Sequence, residues 1–308
     1  MKIGILESKD FSSDVILFLK NIGEVSFYKI EEESFESFVS DKEILFVRLN
    51  YYIDKEFLIN AKKLKYICTP TTGLNHIDLK ECKVRNVEII SLKNEESFLQ
   101  TIRATPEHTF GLILSLLRNY KKSFISNINE WNRDLYKGFE LYGKHVGIIG
   151  YGRVGQILSK YLLAFGCSVS YFDIKDVNSI ENIEIEMNIE ILINRSDIVC
   201  MCASYSKEYE NFFDKKYIDL LKNKYFINTA RGELLDEDYL IKKIEEDFFK
   251  GIAIDVISNE SKNKNNIEEI LNLTNNHNII ITSHIAGATY ESMWKTEQFI
   301  AEKLKDRL

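Results

Sequence analysis

The chain has only two prolines among its 308 residues, which excludes collagen-like and polyproline architectures and any proline-rich linker. Cysteine is scarce too. The five present, Cys68, Cys82, Cys167, Cys200 and Cys202, form no CxxC pair, so neither a disulfide framework nor a zinc ribbon is expected. They sit mostly in apolar segments and read as buried thiols in a reducing cytoplasm. Positive charge is not in excess. The formal net charge of -7 gives no electrostatic basis for nucleic acid or an anionic membrane as partner. No apolar run approaches the roughly 20 residues that span a bilayer, and Met1 to Glu7 is a short apolar run closed by an acid, read as a first strand rather than a signal peptide. The histidines show no metal-ligand spacing, and no metal is expected.

The length suits two domains, and the charged and hydrophobic fractions are those of a globular chain. Short β-rich runs at Lys2 to Leu6, Glu24 to Tyr28, Ile44 to Val47, Lys65 to Thr69 and Val87 to Ser91 alternate with helical patterns such as Phe11 to Asn21 and Lys55 to Lys62. That alternation implies a parallel sheet covered on both faces. A helix is expected from Thr105-Pro106-Glu107-His108 towards Tyr120, followed by a polar stretch from Ser126 to Tyr142. Six further strands are expected at His145 to Ile149, Ser168 to Phe172, Asp197 to Cys202, Tyr225 to Asn228, Gly251 to Val256 and Ile279 to Thr282, with a helix over Asp236 to Phe248. The Lys/Asn-rich run Ser261 to Asn266 reads as a solvated loop. A last amphipathic helix, Thr289 to Lys305, has no partner strand of its own and must pack elsewhere. The fold class is therefore α/β with two doubly wound parallel sheets.

The glycines that matter lie at Gly150-Tyr151-Gly152-Arg153-Val154-Gly155. An apolar run leads into them and a helical pattern follows, so the motif joins a strand, a tight turn and a helix start. Gly150 permits the turn, Gly152 lets a pyrophosphate approach the backbone, and Gly155 allows close packing of helix on strand. The next strand ends at Asp173, whose carboxylate suits a ribose diol and would repel a 2′-phosphate. NAD is the cofactor this pattern favours.

Three chemistry-bearing residues follow successive apolar strands: Arg231 after Tyr225 to Asn228, Glu260 five residues past Asp255, and His284 after Ile279 to Thr282. Strand ends in such sheets share one ligand-binding edge. A histidine can take an alcohol proton as neutral base and return it as imidazolium. A carboxylate on its other ring nitrogen would orient it and favour its charged form, and a guanidinium can grip a substrate carboxylate with two parallel bonds.

At these residues the chain resembles the D-isomer-specific 2-hydroxyacid dehydrogenase family, which includes phosphoglycerate, glycerate and formate dehydrogenases. Leu64 to Leu79, Ala104 to Arg118, Gly143 to Gly155, Phe226 to Asp236, Gly251 to Glu260 and Ser283 to Gly287 match family blocks in order. The resemblance implies an NAD-dependent oxidoreductase acting on a small 2-hydroxy or 2-keto acid, with Arg231, Glu260 and His284 catalytic. It implies a Rossmann NAD-binding domain over 104–283, and a flavodoxin-like substrate or lid domain over 1–103 completed by the C-terminal helix within 284–308. Arg153, Val154, Cys202, Ala203, Thr229, Ala230, Asp255 and Gly287 would contact the cofactor, although Ser204 stands where the family usually has proline. Thr72, Gly73 and Leu74 resemble the loop that takes the substrate carboxylate. Arg48 resembles the position that contacts phosphate in phosphoglycerate dehydrogenases, with Arg133 as a possible helper, so D-3-phosphoglycerate is the candidate substrate. A homodimer formed through the cofactor domain and a Ser123 to Tyr142 arm is implied as well. The same fold serves in NAD-responsive corepressors, so a non-catalytic binding protein is the competing expectation.

Overall fold

Strand-forming runs of Ile, Val, Leu and Phe set the frame. In the computed structural model, which describes all residues except 125–130, 178–181, 259, 261–263 and 275–276 and omits the side chains of 264 and 265, they build two separate parallel sheets. The first contains β1 (Lys2–Ile5), β2 (Glu24–Phe27), β3 (Ile44–Phe46), β4 (Tyr66–Cys68) and β5 (Glu88–Ile90). Their order is β2-β1-β3-β4-β5, that of the flavodoxin-like doubly wound sheet. The second contains β6 (His145–Ile149), β7 (Ser168–Phe172), β8 (Ile183–Ile185), β9 (Ile198–Met201), β10 (Tyr225–Asn228), β11 (Gly251–Ile254) and β12 (Ile279–Ile281). It runs β12-β11-β10-β9-β6-β7-β8, with the order reversing between β6 and β9 as in a Rossmann sheet. Central strands such as β9 and β10 are buried throughout, which is why they read as unbroken apolar runs.

β8 was not expected. It is an edge strand in which only Ile183 is buried, so one apolar contact carries it and no alternation announces it. The Lys/Asn-rich run expected as a loop enters a helix at Lys264–Leu273, while 261–263 lie outside the described residues. So do 125–130 of the expected dimer arm.

Helix ends are fixed by local chemistry. Ser12 caps Ser13–Lys20 by accepting from the Val15 N–H, Asp236 caps Glu237–Glu245 through Tyr239, and Thr289 caps Tyr290–Lys305 through Ser292. The helix expected from Thr105 begins at Ala104 and runs to Leu117.

The chain divides into two compact units, Met1–Thr101 with Ala288–Leu308, and Ile102–Gly287. In the first, the apolar face of Tyr290–Lys305 is the missing wall of the core: Ile300, Ala301 and Leu304 are buried among Ile3, Ile5, Val15, Leu19 and Ile90. Phe299 also stacks on Phe98 at 3.9 Å. Residues 284–287, grouped by sequence with the first domain, belong to the second unit. The reason is Asp255, whose carboxylate accepts the N–H groups of Ile285 and Ala286 while its backbone carbonyl accepts that of His284.

Candidate active site

Within the second unit the loops after β6, β7, β9, β10, β11 and β12 leave the same sheet edge. Gly150 ends β6 with φ +92°, and a side chain there would put Cβ 2.4 Å from the Ala203 Cα. Only glycine fits both the dihedral and the approach of the β9 loop. At Gly155 a Cβ would lie 2.5 Å from the Gly150 carbonyl oxygen, so the helix Arg153–Ala164 can sit directly on the turn. The Gly152 position is the opposite: a Cβ there meets nothing within 4 Å. Gly152 is also the N-cap, without a side-chain cap, leaving first-turn N–H groups for an anion.

Asp173, one residue past β7, accepts from the Tyr151 N–H at 2.6 Å and the Lys175 N–H at 2.8 Å. These bonds fix the carboxylate beside the glycine turn while leaving lone pairs for a ribose diol. Open space before an uncapped helix start, with a fixed carboxylate one strand away, fits a dinucleotide without a 2′-phosphate. The Arg153 guanidinium donates to the Ile102 carbonyl at 2.9 Å. Cys202 and Ala203 are half-buried beside Gly150. Thr229 is buried and its hydroxyl pairs with Thr109 at 2.7 Å, while Gly287 stands in open space.

Arg231 follows β10 through a turn that sequence reasoning did not single out. The Asn228 side chain accepts from the Ala230 N–H at 3.0 Å and donates to the Arg231 carbonyl at 3.1 Å. The adjacent Gly232 is packed so closely that a Cβ would fall 2.1 Å from the Ser258 nitrogen. Buried Glu237 accepts that same Ser258 N–H at 2.6 Å, so the loops after β10 and β11 are clamped together. Burial lowers the Arg231 pKa, opposed by the Glu233, Glu260 and Asp255 carboxylates around it, and it stays a cation in a site of reduced dielectric.

His284 and Glu260 meet. Nδ1 of His284 lies 2.8 Å from Oε2 of Glu260, and the other Glu260 oxygen accepts from the Ile257 N–H at 3.3 Å. His284 itself adopts φ +54°, a left-handed conformation unusual for a non-glycine residue. The loop is held there by Asp255, which is 1% exposed. Its Oδ1 accepts from Thr282 Oγ1 and from Ile285 N–H at 2.9 Å, and its Oδ2 from Ala286 N–H at 3.0 Å. His108 Nε2 stands 3.3 Å from Oδ1. Burial opposes ionisation of Asp255, but these bonds from His108, Thr282, Ala286 and Ile285 outweigh it and hold the carboxyl below its usual value. Asp255, read from sequence as a cofactor contact, thus spends its carboxylate on the loop that carries His284. Thr282 and His108 were missed as site residues because neither carries a motif.

In the first unit, Thr72, Gly73 and Leu74 follow β4 in a loop shaped by Thr71, whose hydroxyl donates to the Gly73 carbonyl at 2.9 Å. Arg48 departs from expectation. Its guanidinium pairs with Glu297 of the C-terminal helix and donates to the Lys9 carbonyl at 3.0 Å, and Glu297 is fully buried. The guanidinium is thus paired with a buried carboxylate of its own unit. Arg133 sits in an exposed turn at Arg133–Leu135.

Among the described residues no group of three or more His, Cys, Asp or Glu side chains could hold a metal ion, and no helix is long and apolar enough to cross a membrane. The family model described as D-isomer specific 2-hydroxyacid dehydrogenase, NAD binding domain, matches residues 110–286. A D-3-phosphoglycerate dehydrogenase of Methanocaldococcus jannaschii is 29% identical over 310 aligned residues, covering 98% of this chain and 57% of that protein. The chain thus spans little more than half of that relative's length. A glyoxylate reductase of Thermofilum pendens is 31% identical, covering 86% of this chain and 78% of the relative. The crystal structure of D-lactate dehydrogenase from Aquifex aeolicus, complexed with NAD and lactic acid, superposes with a TM-score of 0.84 at 25% identity, covering 99% of this chain and 95% of that one.

Proposed function

The chain belongs to the D-isomer specific 2-hydroxyacid dehydrogenases, NAD-dependent oxidoreductases, and on that premise we propose that it interconverts a D-2-hydroxy acid and its 2-keto acid through His284, Glu260 and Arg231. The observation that carries this reading is the 2.8 Å pair of His284 Nδ1 and Glu260 Oε2. A carboxylate can only accept, so Nδ1 holds the proton and Nε2 presents a lone pair. In oxidation Nε2 takes the hydroxyl proton as the carbonyl forms; in reduction the imidazolium returns it to the carbonyl oxygen. Bound nicotinamide supplies the acceptor or donor of the hydride. Glu260 stabilises the imidazolium while it exists, and Arg231 holds the substrate carboxylate and favours negative charge developing on the neighbouring oxygen.

With Arg48 engaged by Glu297, the basis for a phosphorylated substrate is weak. The favoured substrate is instead a small unphosphorylated 2-keto acid of the kind named for the Thermofilum relative, glyoxylate. The exposed aromatic side chains Phe124, Trp131, Phe139 and Tyr142 support a homodimer through that arm, and the absence of disulfides among five free cysteines suits the cytoplasm.

Oxidation of NADH against glyoxylate, pyruvate, hydroxypyruvate, phenylpyruvate and 3-phosphohydroxypyruvate tests the reading. Turnover on at least one, falling by about 10²–10⁴ in His284→Ala, is expected. Tight NADH binding with no turnover on any would favour a dinucleotide-sensing protein instead.

A further inference from the structure

His108 lies on the helix Ala104–Leu117, outside the three residues to which the chemistry has been assigned. Its ring is one-fifth exposed and its Nε2 sits 3.2 Å from Thr282 Oγ1 and 3.3 Å from Asp255 Oδ1. The direction of these bonds follows from what each group can donate. Asp255 is a carboxylate and accepts only, so Thr282 must give its hydroxyl proton to Oδ1. The Thr282 oxygen is then an acceptor, and His108 Nε2 must carry the hydrogen that fills it. A directed chain therefore runs from helix to loop: His108 Nε2–H to Thr282 Oγ1–H to Asp255 Oδ1.

The far end of that chain is the backbone around His284. Asp255 receives the N–H groups of Ile285 and Ala286 through its two carboxylate oxygens and that of His284 through its main-chain carbonyl. Those three consecutive bonds hold the left-handed turn at His284, a conformation that persists in a non-glycine residue only where its surroundings impose it. The helix carrying His108 is anchored in turn: Thr109 bonds both the Thr105 carbonyl and the hydroxyl of Thr229 after β10. The ring is thus presented by a fixed element to a loop that needs holding.

From this geometry we propose that His108 is a positioning residue for the reaction, acting through Thr282 and Asp255 to hold the His284 loop in its left-handed turn. The inference rests on the reading of His284 as the acid–base group. It assigns His108 no contact with substrate. Its loss acts on the orientation of the His284 imidazole and leaves the grip of Arg231 on the substrate carboxylate in place.

Two readouts test it, one independent of any substrate. Amide hydrogen exchange of the 283–287 segment, followed by mass spectrometry in the intact protein, should quicken on the order of tenfold in His108→Leu and in Thr282→Val, since each breaks the chain at a different link. With whichever keto acid is turned over, kcat should fall on the order of tenfold, about 1.4 kcal/mol, at little-changed KM. His108→Gln, whose amide can donate from nearly the position of Nε2, should recover most of both losses. The double variant His108→Leu/Thr282→Val should be no worse than either single one. Wild-type exchange in both single variants overturns the inference, as does quickened exchange with undiminished kcat. Failure of the His284 assignment shows differently, as turnover retained in His284→Ala. The exchange result does not depend on that outcome.

Discussion

Replacing Arg48 by methionine separates a structural arginine from a substrate-binding one. In the folded chain Arg48 is 18% exposed and its partner Glu297 is fully buried. Burial pushes the Glu297 carboxyl above its usual value, while the Ser12 N–H and the Arg48 guanidinium pull it back. Removing the cation leaves a buried carboxylate with only the Ser12 N–H, at 2.9 Å, to satisfy it. Breaking one side of a buried pair costs about 3–5 kcal/mol, and the bond to the Lys9 carbonyl, worth about 1 kcal/mol, is lost with it. Proton uptake by Glu297 offsets part of this, so a net loss of about 3 kcal/mol is expected. For a unit of this size that corresponds to roughly 10 °C in the melting temperature of the first unit, read by circular dichroism or scanning calorimetry at pH 7. The double variant Arg48→Met/Glu297→Met replaces both charges with apolar volume and should recover to within about 1 kcal/mol of the wild type. A single variant as stable as the wild type, with KM raised selectively for 3-phosphohydroxypyruvate, would instead make Arg48 a phosphate ligand.

Asp173→Ala should weaken NADH binding about 10- to 100-fold, the worth of a hydrogen bond to a charged group, and NADPH binding far less; titration by NADH fluorescence checks it. Gly150→Ala combines a strained dihedral with a Cβ 2.4 Å from Ala203, and thermal melts should show a loss of about 3 kcal/mol or more, since overpacking and the left-handed conformation each cost about 1–3 kcal/mol. The pH dependence of stability has two opposed limbs. Glu7, Glu237 and Glu297 have folded pKa values raised chiefly by burial, so their contribution declines as pH rises from about 4.3 through those raised values. Asp255 has a lowered one, so its contribution is present above about 3.9 and is lost as pH falls through the folded value. Melting temperatures of wild type and Asp255→Asn from pH 2.5 to 8 should therefore differ in the acid limb, where only the wild type retains the Asp255 titration. Parallel acid limbs would contradict the assignment.

The elements that could be read from sequence are those whose signal is local. The run Val146-Gly147-Ile148-Ile149 into Gly150 states a buried strand and a turn in consecutive residues, and β6 with its helix follows. Arg231, Glu260 and His284 could be grouped because a parallel sheet delivers the ends of its strands to one edge. What stayed hidden is pairing across the chain. Arg48 meets Glu297 249 residues away, and His108 meets Thr282 174 residues away. No periodicity encodes such partners. An arginine at a strand end looks the same whether it awaits a ligand or neutralises a buried glutamate, and the difference lies entirely in what packs over it. β8 failed for the converse reason, since its single buried side chain leaves too faint an apolar pattern.

The C-terminal helix has a consequence for synthesis. Ile3 and Ile5 leave the ribosome long before Ile300, Ala301 and Leu304, which close the core they join. The whole of Ile102–Gly287 is made in between, an interval of roughly 10–40 s at ordinary elongation rates. The second unit can therefore be complete while the first still exposes one side of its sheet. A nascent chain stalled before residue 290 presents that uncovered surface, and this is where chaperone binding or co-translational aggregation would concentrate. Pulse proteolysis of stalled chains should show the nucleotide-binding half protected before the N-terminal one.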